Sequence, residues 1–166
     1  MTLKLRSMMI GAAAALLLIP TISAASGEDV GHRGWGPRFG VTSGPDQVHF
    51  GLHTDFGNFS DHVRFQPNFE LGVGDDRTVG ALNFEAAYRF SESYTSWSPY
   101  VGGGLGVNFV SSDRGFRDGT NTDAGLNALV GIEKGLASGD RFFTETKFGL
   151  TDSPDFKLTF GWTFYH

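Results

Sequence analysis

The residues of this chain that could do chemistry fall on alternate positions of short segments. They are His49, His53 and Asp55; Arg64 and Glu70; Asn83, Glu85 and Arg89; Asn108; Glu133; Glu145 and Lys147; and Lys157. Carboxylates and imidazoles can serve acid–base catalysis, metal ligation or ion pairing. Here acids and bases nearly balance, which favours ion pairing. His49 and His53 are four residues apart. On an extended strand that places their Cα atoms about 13 Å apart, too far to share one metal, so two histidines lining a polar surface are expected and no metal site. The chain has no cysteine, so it has neither disulfides nor thiolate ligands.

Other chemistries lack their residues. Gly102, Gly103, Gly104 and Gly106 have no following helix and no Lys-Ser/Thr, so they do not form a phosphate loop. Glycines on a polar face leave room for large neighbours instead, Tyr100 or Arg89 being the expected ones. The acids of the 111–122 stretch lack the offsets of a calcium loop. Hydrolysis needs a nucleophile, a base and an orienting acid within reach of one another. Ser153 and His166 are the C-terminal candidates, and they bracket one segment at opposite ends. No catalytic residues and no cofactor are expected.

Alternation itself dictates the elements. Val63, Phe65, Phe69, Leu71 and Val73 share one parity with Pro67, while Arg64, Gln66, Asn68, Glu70 and Gly72 share the other. A β-strand sends successive side chains to opposite faces. Similar segments are expected near 35–43, 47–56, 63–73, 78–90, 100–110, 123–133, 141–150 and 156–165. Turn-forming stretches rich in Gly, Pro, Asp and Ser separate them. No window beyond residue 25 shows helical spacing, and the chain carries 24 Gly and 16 Phe. The expected fold is all-β: an eight-stranded antiparallel up-and-down transmembrane barrel with a polar lumen. Periodicity alone does not say which face is outside. A soluble lipid carrier with the Phe face inward has the same period.

The N-terminus reads as an export signal. Lys4 and Arg6 precede an apolar run, Met8 to Ile19, which is too short to span a bilayer. Pro20 breaks it, and Ser23, Ala24 and Ala25 suit signal peptidase. Residues 1–25 are therefore expected to be a cleaved signal peptide, 26–34 a polar lead-in and 35–166 the barrel. A retained N-terminal anchor helix is the alternative. Cleavage after Ala25 leaves 141 residues and takes the formal charge from −5 to −7. That acidity argues against nucleic-acid binding.

Two stretches carry a family resemblance. They are Tyr88-Arg89-Phe90 followed by Pro99-Tyr100-Val101-Gly102-Gly103-Gly104-Leu105-Gly106-Val107-Asn108-Phe109, and the last strand, Leu158-Thr159-Phe160-Gly161-Trp162-Thr163-Phe164. The chain resembles small outer-membrane barrel proteins of the OmpX, OmpW and OmpA-barrel kind. The resemblance implies location in the outer membrane and a final strand, with Phe160, Trp162 and Phe164, that the barrel-assembly machinery reads. The chain departs from the pattern in ending Phe164-Tyr165-His166. The family spans many activities, so fold does not give function.

An eight-stranded barrel has room inside for side chains and little else. Arg64, Glu70, Glu85, Arg89, Glu133, Glu145, Lys147 and Lys157 are expected to form a lumen charge network, with Arg64, Glu70, Glu85, Arg89 and Glu145 at its centre. Buried charges must be paired, so a closed lumen and a non-enzymatic structural or surface-interaction role are expected. The alternatives are a narrow channel for ions or small hydrophobic solutes, which a side opening beside Pro67 would favour, and a lipid A-modifying enzyme; Pro67 marks a place for a bulge, a break or a side opening. Membrane lipid is an expected partner, the protein is expected to be a monomer, and Arg114 and Arg117 of the longest external loop could meet lipopolysaccharide phosphates.

Overall fold

The computed structural model describes residues 29–44, 46–74, 77–90, 96–112, 120–151 and 154–166. The expected signal peptide (1–25), Arg114, Arg117 and Ser153 lie outside them. Eight strands follow in chain order: β1 (Asp29–Ser43), β2 (Gln47–Ser60), β3 (Val63–Val73), β4 (Arg77–Arg89), β5 (Ser98–Ser112), β6 (Thr120–Gly135), β7 (Arg141–Gly149) and β8 (Phe156–Tyr165). Each pairs antiparallel with its neighbours in sequence, and β1 pairs with β8 to close the barrel. The end carrying Asp29 and His166 is called lower here, and the end carrying the β1–β2, β3–β4, β5–β6 and β7–β8 connections upper.

The alternation sorts the faces as a closed wall requires. Along β3, Arg64, Gln66, Asn68 and Glu70 are buried while Val63, Phe65, Pro67 and Phe69 are partly exposed. The same holds around the ring. Phe39, Phe50, Leu52, Phe84, Leu105, Leu126, Val130, Phe148 and Phe164 are among the exposed large apolar side chains, whereas Arg38, Glu70, Glu85, Glu145 and Lys147 are among the buried ones. The barrel is polar inside and apolar outside. This arrangement excludes the soluble carrier with an inward Phe face.

Strand bounds differ from expectation mainly at the ends. The lead-in 26–34 is not wholly outside the barrel, because β1 already begins at Asp29. Its polar, Gly-containing residues show no alternation. What makes them strand is the ladder offered by the far end of β2, where Asp29 faces Asn58 and Val30 faces Gly57. Likewise β2 continues through 57–60, a stretch whose Gly and Asn read as a turn.

Pro67 lies within a closed wall, not beside a lateral opening. The β3–β4 register runs unbroken through Pro67 and Phe84. On the other side, five steps of β2 from His53 to Asn58 match four of β3 from Asn68 to Arg64. That is a bulge, and Pro67 falls in the stretch with no β2 partner, where a missing N–H costs no ladder bond. The β1–β2 register also shifts here, between Val30 and Gly34. Both irregularities meet at Gly57, whose φ of 76° favours glycine, the residue with no Cβ to strain there. Its N–H donates to Asp55 Oδ1 at 2.8 Å, and the Phe56, Phe59 and Phe65 rings close over the outside, with centroids 4.9 Å apart for Phe59–Phe65 and 6.2 Å for Phe56–Phe65. Pro67→Ala is expected to change unfolding free energy by less than about 1 kcal/mol. A larger gain in urea resistance would mean that Pro67 interrupts a ladder after all.

Candidate functional site: a two-storey ion-pair lumen

The buried polar side chains form two clusters. In the upper storey Arg38 (β1) is the hub. Its Nη2 donates to Glu145 Oε1 at 2.8 Å, its Nε lies 2.9 Å from Glu70 Oε1, and its Nη1 is 3.7 Å from Glu85 Oε2. Lys147 (β7) pairs with Glu85, and lies 3.4 Å from Glu70 Oε1 and 3.6 Å from Glu145 Oε1. Lys157 (β8) donates to Glu70 Oε2 at 2.8 Å. Arg38, Lys147 and Lys157 thus face Glu70, Glu85 and Glu145, and the charges cancel. Some spare lone pairs are used too, while Arg38 Nε and Nη1 make ionic contacts without hydrogen-bond geometry. Asn68 donates to Glu85 Oε2, and Asn83 donates to Asn68 Oδ1, both at 2.8 Å.

The lower storey centres on Glu133 (β6). Arg64 (β3) pairs with its Oε2, and Arg141 (β7) reaches the same oxygen at 3.1 Å. Arg141 Nη1 is also 3.5 Å from Asp55 Oδ2, and its Nη2 donates to Gln66 Oε1 at 3.0 Å and Thr163 Oγ1 at 2.8 Å. Tyr165 donates its hydroxyl to Asp55 Oδ2 at 2.9 Å. Arg89 sits at the rim with its side chain 35% exposed. It donates to Asn58 Oδ1 at 3.1 Å and lies 3.8 Å from Glu133 Oε1.

Between the storeys lie two fully buried aromatic residues, Tyr100 of β5 and Phe143 of β7. Arg64 stacks over the Tyr100 ring at 5.2 Å, while Arg38 and Arg141 lie over the Phe143 ring at 5.8 and 5.6 Å. Each ring covers a cross-strand glycine: Tyr100 faces Gly131, and Phe143 faces Gly161. A Cβ at either glycine would overlap the ring, so glycine is what admits the aromatics to the lumen. Tyr100 also donates its hydroxyl to Glu145 Oε2 at 3.1 Å, tying the layer to the upper storey.

The expected network therefore divides. Glu70, Glu85, Glu145, Lys147 and Lys157 lie in the upper storey, Arg64 and Glu133 in the lower, and Arg89 at the lower rim. Arg64 and Arg89 do not share a centre with Glu70, Glu85 and Glu145, because the Tyr100–Phe143 layer stands between. Sequence reading omitted the two best-connected cations. Arg38 shares its parity with Gly40 and Thr42 on the polar face of β1, and Arg141 shares its parity with Glu145 and Lys147, so strict parity would have found both. The glycine expectation shifts as well. Gly131 makes room for Tyr100, whereas Gly104 and Gly106 face the Glu85 and Asn83 side chains.

The remaining candidates resolve simply. His49 hydrogen-bonds Thr42 Oγ1 at 2.8 Å and Thr159 Oγ1 at 3.0 Å, and His53 hydrogen-bonds Thr163 Oγ1 at 2.8 Å. Among the described residues no group of His, Cys, Asp and Glu is placed to hold a metal. His166 accepts a hydrogen bond from the Trp35 indole at 3.2 Å at the lower end, a strand's length of about 33 Å from the start of β8. The pocket under the upper end, lined by Asn83, Asn108, Asn127, Lys147 and Lys157, admits about one water. Phe160, Trp162 and Phe164 all face outward. Trp162 packs on Phe142 at 4.7 Å and Phe39 at 6.1 Å, and Phe164 on Trp35 at 6.0 Å.

No family model matches the chain, and no curated protein sequence does. Solved structures do. Neisserial surface protein A aligns with 81% of this chain and 96% of its own, at 14% identity and a TM-score of 0.64. The N-terminal β-barrel domain of Pseudomonas aeruginosa OprF aligns with 82% of this chain and 99% of its own, at 14% identity and a TM-score of 0.63. The fold is that of the small eight-stranded outer-membrane barrels. The Yersinia pestis outer membrane protein Ail also aligns, over 81% of this chain and 99% of its own, at 11% identity and a TM-score of 0.49. At such identities the small-barrel likeness describes the wall. What fills the lumen is read from this chain's own side chains.

Proposed function

We propose that this chain is exported by a cleaved signal peptide, 1–25, and spans the outer membrane as a non-enzymatic monomeric barrel. Its role is structural or one of surface interaction, and its lumen is closed. The observation that carries this reading is the inverted surface: apolar side chains exposed around the ring, with ionised ones buried inside. In water such a surface would aggregate; in a bilayer it faces hydrocarbon. The eleven residues of β3, tilted by roughly 40°, rise about 28 Å, against an apolar band of about 25 Å. Trp35, Trp97 and Trp162 gather towards the lower end, as an interfacial girdle does. The aromatic outward face of β8 suits the barrel-assembly machinery.

Reconstitution in vesicles with brominated acyl chains tests the placement. Trp35 and Trp162 should be quenched strongly, and purified mature protein should begin at Ser26. Unquenched tryptophans would refute the transmembrane placement. The upper end faces outward in this reading, so Arg114 and Arg117 would be available to lipopolysaccharide phosphates. The double Arg→Ala variant should then bind lipopolysaccharide about tenfold more weakly; unchanged affinity removes that partner.

A further inference from the structure

The two storeys differ in one respect. The upper storey is electrically closed, with Arg38, Lys147 and Lys157 set against Glu70, Glu85 and Glu145. Among the described residues the lower storey sets Arg64, Arg89 and Arg141 against Glu133 and Asp55 alone. Within this set of described ion-pair partners one positive charge is left over, with Asp61 exposed in the β2–β3 turn outside the set. Asp140, the acid nearest β7 on this rim, turns its carboxylate to the Ser138 hydroxyl and the Tyr165 N–H.

Unmet guanidinium donors occur in both storeys, at Arg38 Nε and Nη1 above and at Arg64 and Arg89 below, but those of Arg38 lie against three carboxylates. Arg141 spends all three guanidinium nitrogens, on Thr163, Glu133 and Gln66. Arg64 and Arg89 do not: the Nε of each is buried without a hydrogen-bond partner. Both arginines converge on Glu133, one on each oxygen. The Arg89 contact is long, at 3.8 Å, and among the charged members of the cluster its side chain is the one that reaches solvent. A guanidinium in these conditions has charge and fork geometry to spare, which is what carboxylate and phosphate oxygens match.

We propose that the lower mouth of the barrel is a binding site for a single oxyanion, a carboxylate or a phosphate. Arg89 makes the contact, and Arg64 and Arg141 supply the field behind it. The anion completes the charge balance that Glu133 and Asp55 leave open. The site looks out of the lower end of the barrel, the periplasmic side if the proposed function holds. The oxyanion can come from a free solute or from a phospholipid headgroup of the facing leaflet, and the experiment separates the two.

The test follows the arginine Nε–H resonances of the full mature protein by NMR. In phospholipid-free detergent micelles, inorganic phosphate and acetate are titrated at ionic strength held constant with chloride. In bicelles, phosphatidylglycerol is added to phosphatidylcholine. A saturable shift at Arg89 and Arg64 with phosphate or acetate supports a soluble oxyanion. The same shift with phosphatidylglycerol alone supports the headgroup. Arg89→Gln should weaken either response at least about tenfold, while Lys134→Gln, on the same rim beside Trp97, should leave it unchanged. Should Arg89→Gln fail to fold, Arg89→Lys keeps the charge, loses the fork and should bind more weakly. Shifts that grow linearly, that chloride reproduces, or that survive loss of Arg89 overturn the proposal.

Discussion

Arg38→Ala lowers the free energy of unfolding by roughly 3–5 kcal/mol, the range for removing one partner of a buried ion pair. The physical cause is specific. Arg38 is 1% exposed and contacts Glu70, Glu85 and Glu145 at 2.9, 3.7 and 2.8 Å. Without it, three buried carboxylates are left with Lys147 and Lys157 alone. One negative charge is then uncompensated inside a wall whose outside is apolar. Urea unfolding in lipid vesicles, followed by tryptophan emission, measures the loss. Arg38→Ala combined with Glu145→Gln restores the balance of charge and should recover part of it. Arg89→Ala, at the half-exposed rim, should cost far less, about 1 kcal/mol or below. If Arg38→Ala and Arg89→Ala cost the same, the upper storey is not the centre of the lumen.

Removing the aromatic layer should open the barrel. In Tyr100→Ala/Phe143→Ala both rings leave, and their partners across the strands, Gly131 and Gly161, have no side chains to fill the space. Two effects are expected. Stability falls by several kcal/mol, since a buried Phe→Ala change alone costs about 3–5 kcal/mol. The storeys also lose the septum between them, so water and small ions reach from one charge cluster to the other. The double variant should show conductance steps in planar bilayers that the single Arg→Ala variants at Arg64 and Arg38 show less often. A double variant that folds, as judged by its unfolding transition, but stays silent would show that the ion pairs close the lumen without the rings.

How much of this was legible in the sequence follows from which forces leave a period behind. Burial on one face of a strand writes alternation, so β3 and β8 were bounded to the residue, and the existence of all eight strands was plain. Backbone pairing leaves no such mark. The start of β1, at Asp29–Gly34, and the end of β2, at Gly57–Ser60, read as loops; Asp29 and Val30 are held by pairing with Asn58 and Gly57, and Ser60 by pairing with Val63. Pro67 signalled a fault in the wall. A bulge, a break and a side opening all fitted it, and the choice among them is set by the partner strand's extra residue between His53 and Asn58.

The site was legible as a set of charges but not as a connected structure. Parity lists which side chains point inward, and it places Arg38 and Arg141 there once applied strictly. It does not say who meets whom. Pairing across the lumen joins β1 to β7 through Arg38 and Glu145, and β3 to β6 through Arg64 and Glu133, and strand stagger around the barrel decides such meetings. The division at Tyr100 and Phe143 was equally hidden. An inward aromatic on an otherwise polar face, opposite a glycine on the neighbouring strand, is its only trace.

The central claim is that paired charges and two aromatic rings close the lumen. Planar-bilayer recording of the unaltered mature protein tests it most directly. A closed lumen predicts a flat trace at both polarities, with membrane insertion shown independently by quenching from brominated lipid. Steady, long-lived conductance steps from the unaltered protein would contradict it and turn the two storeys into the lining of a pore.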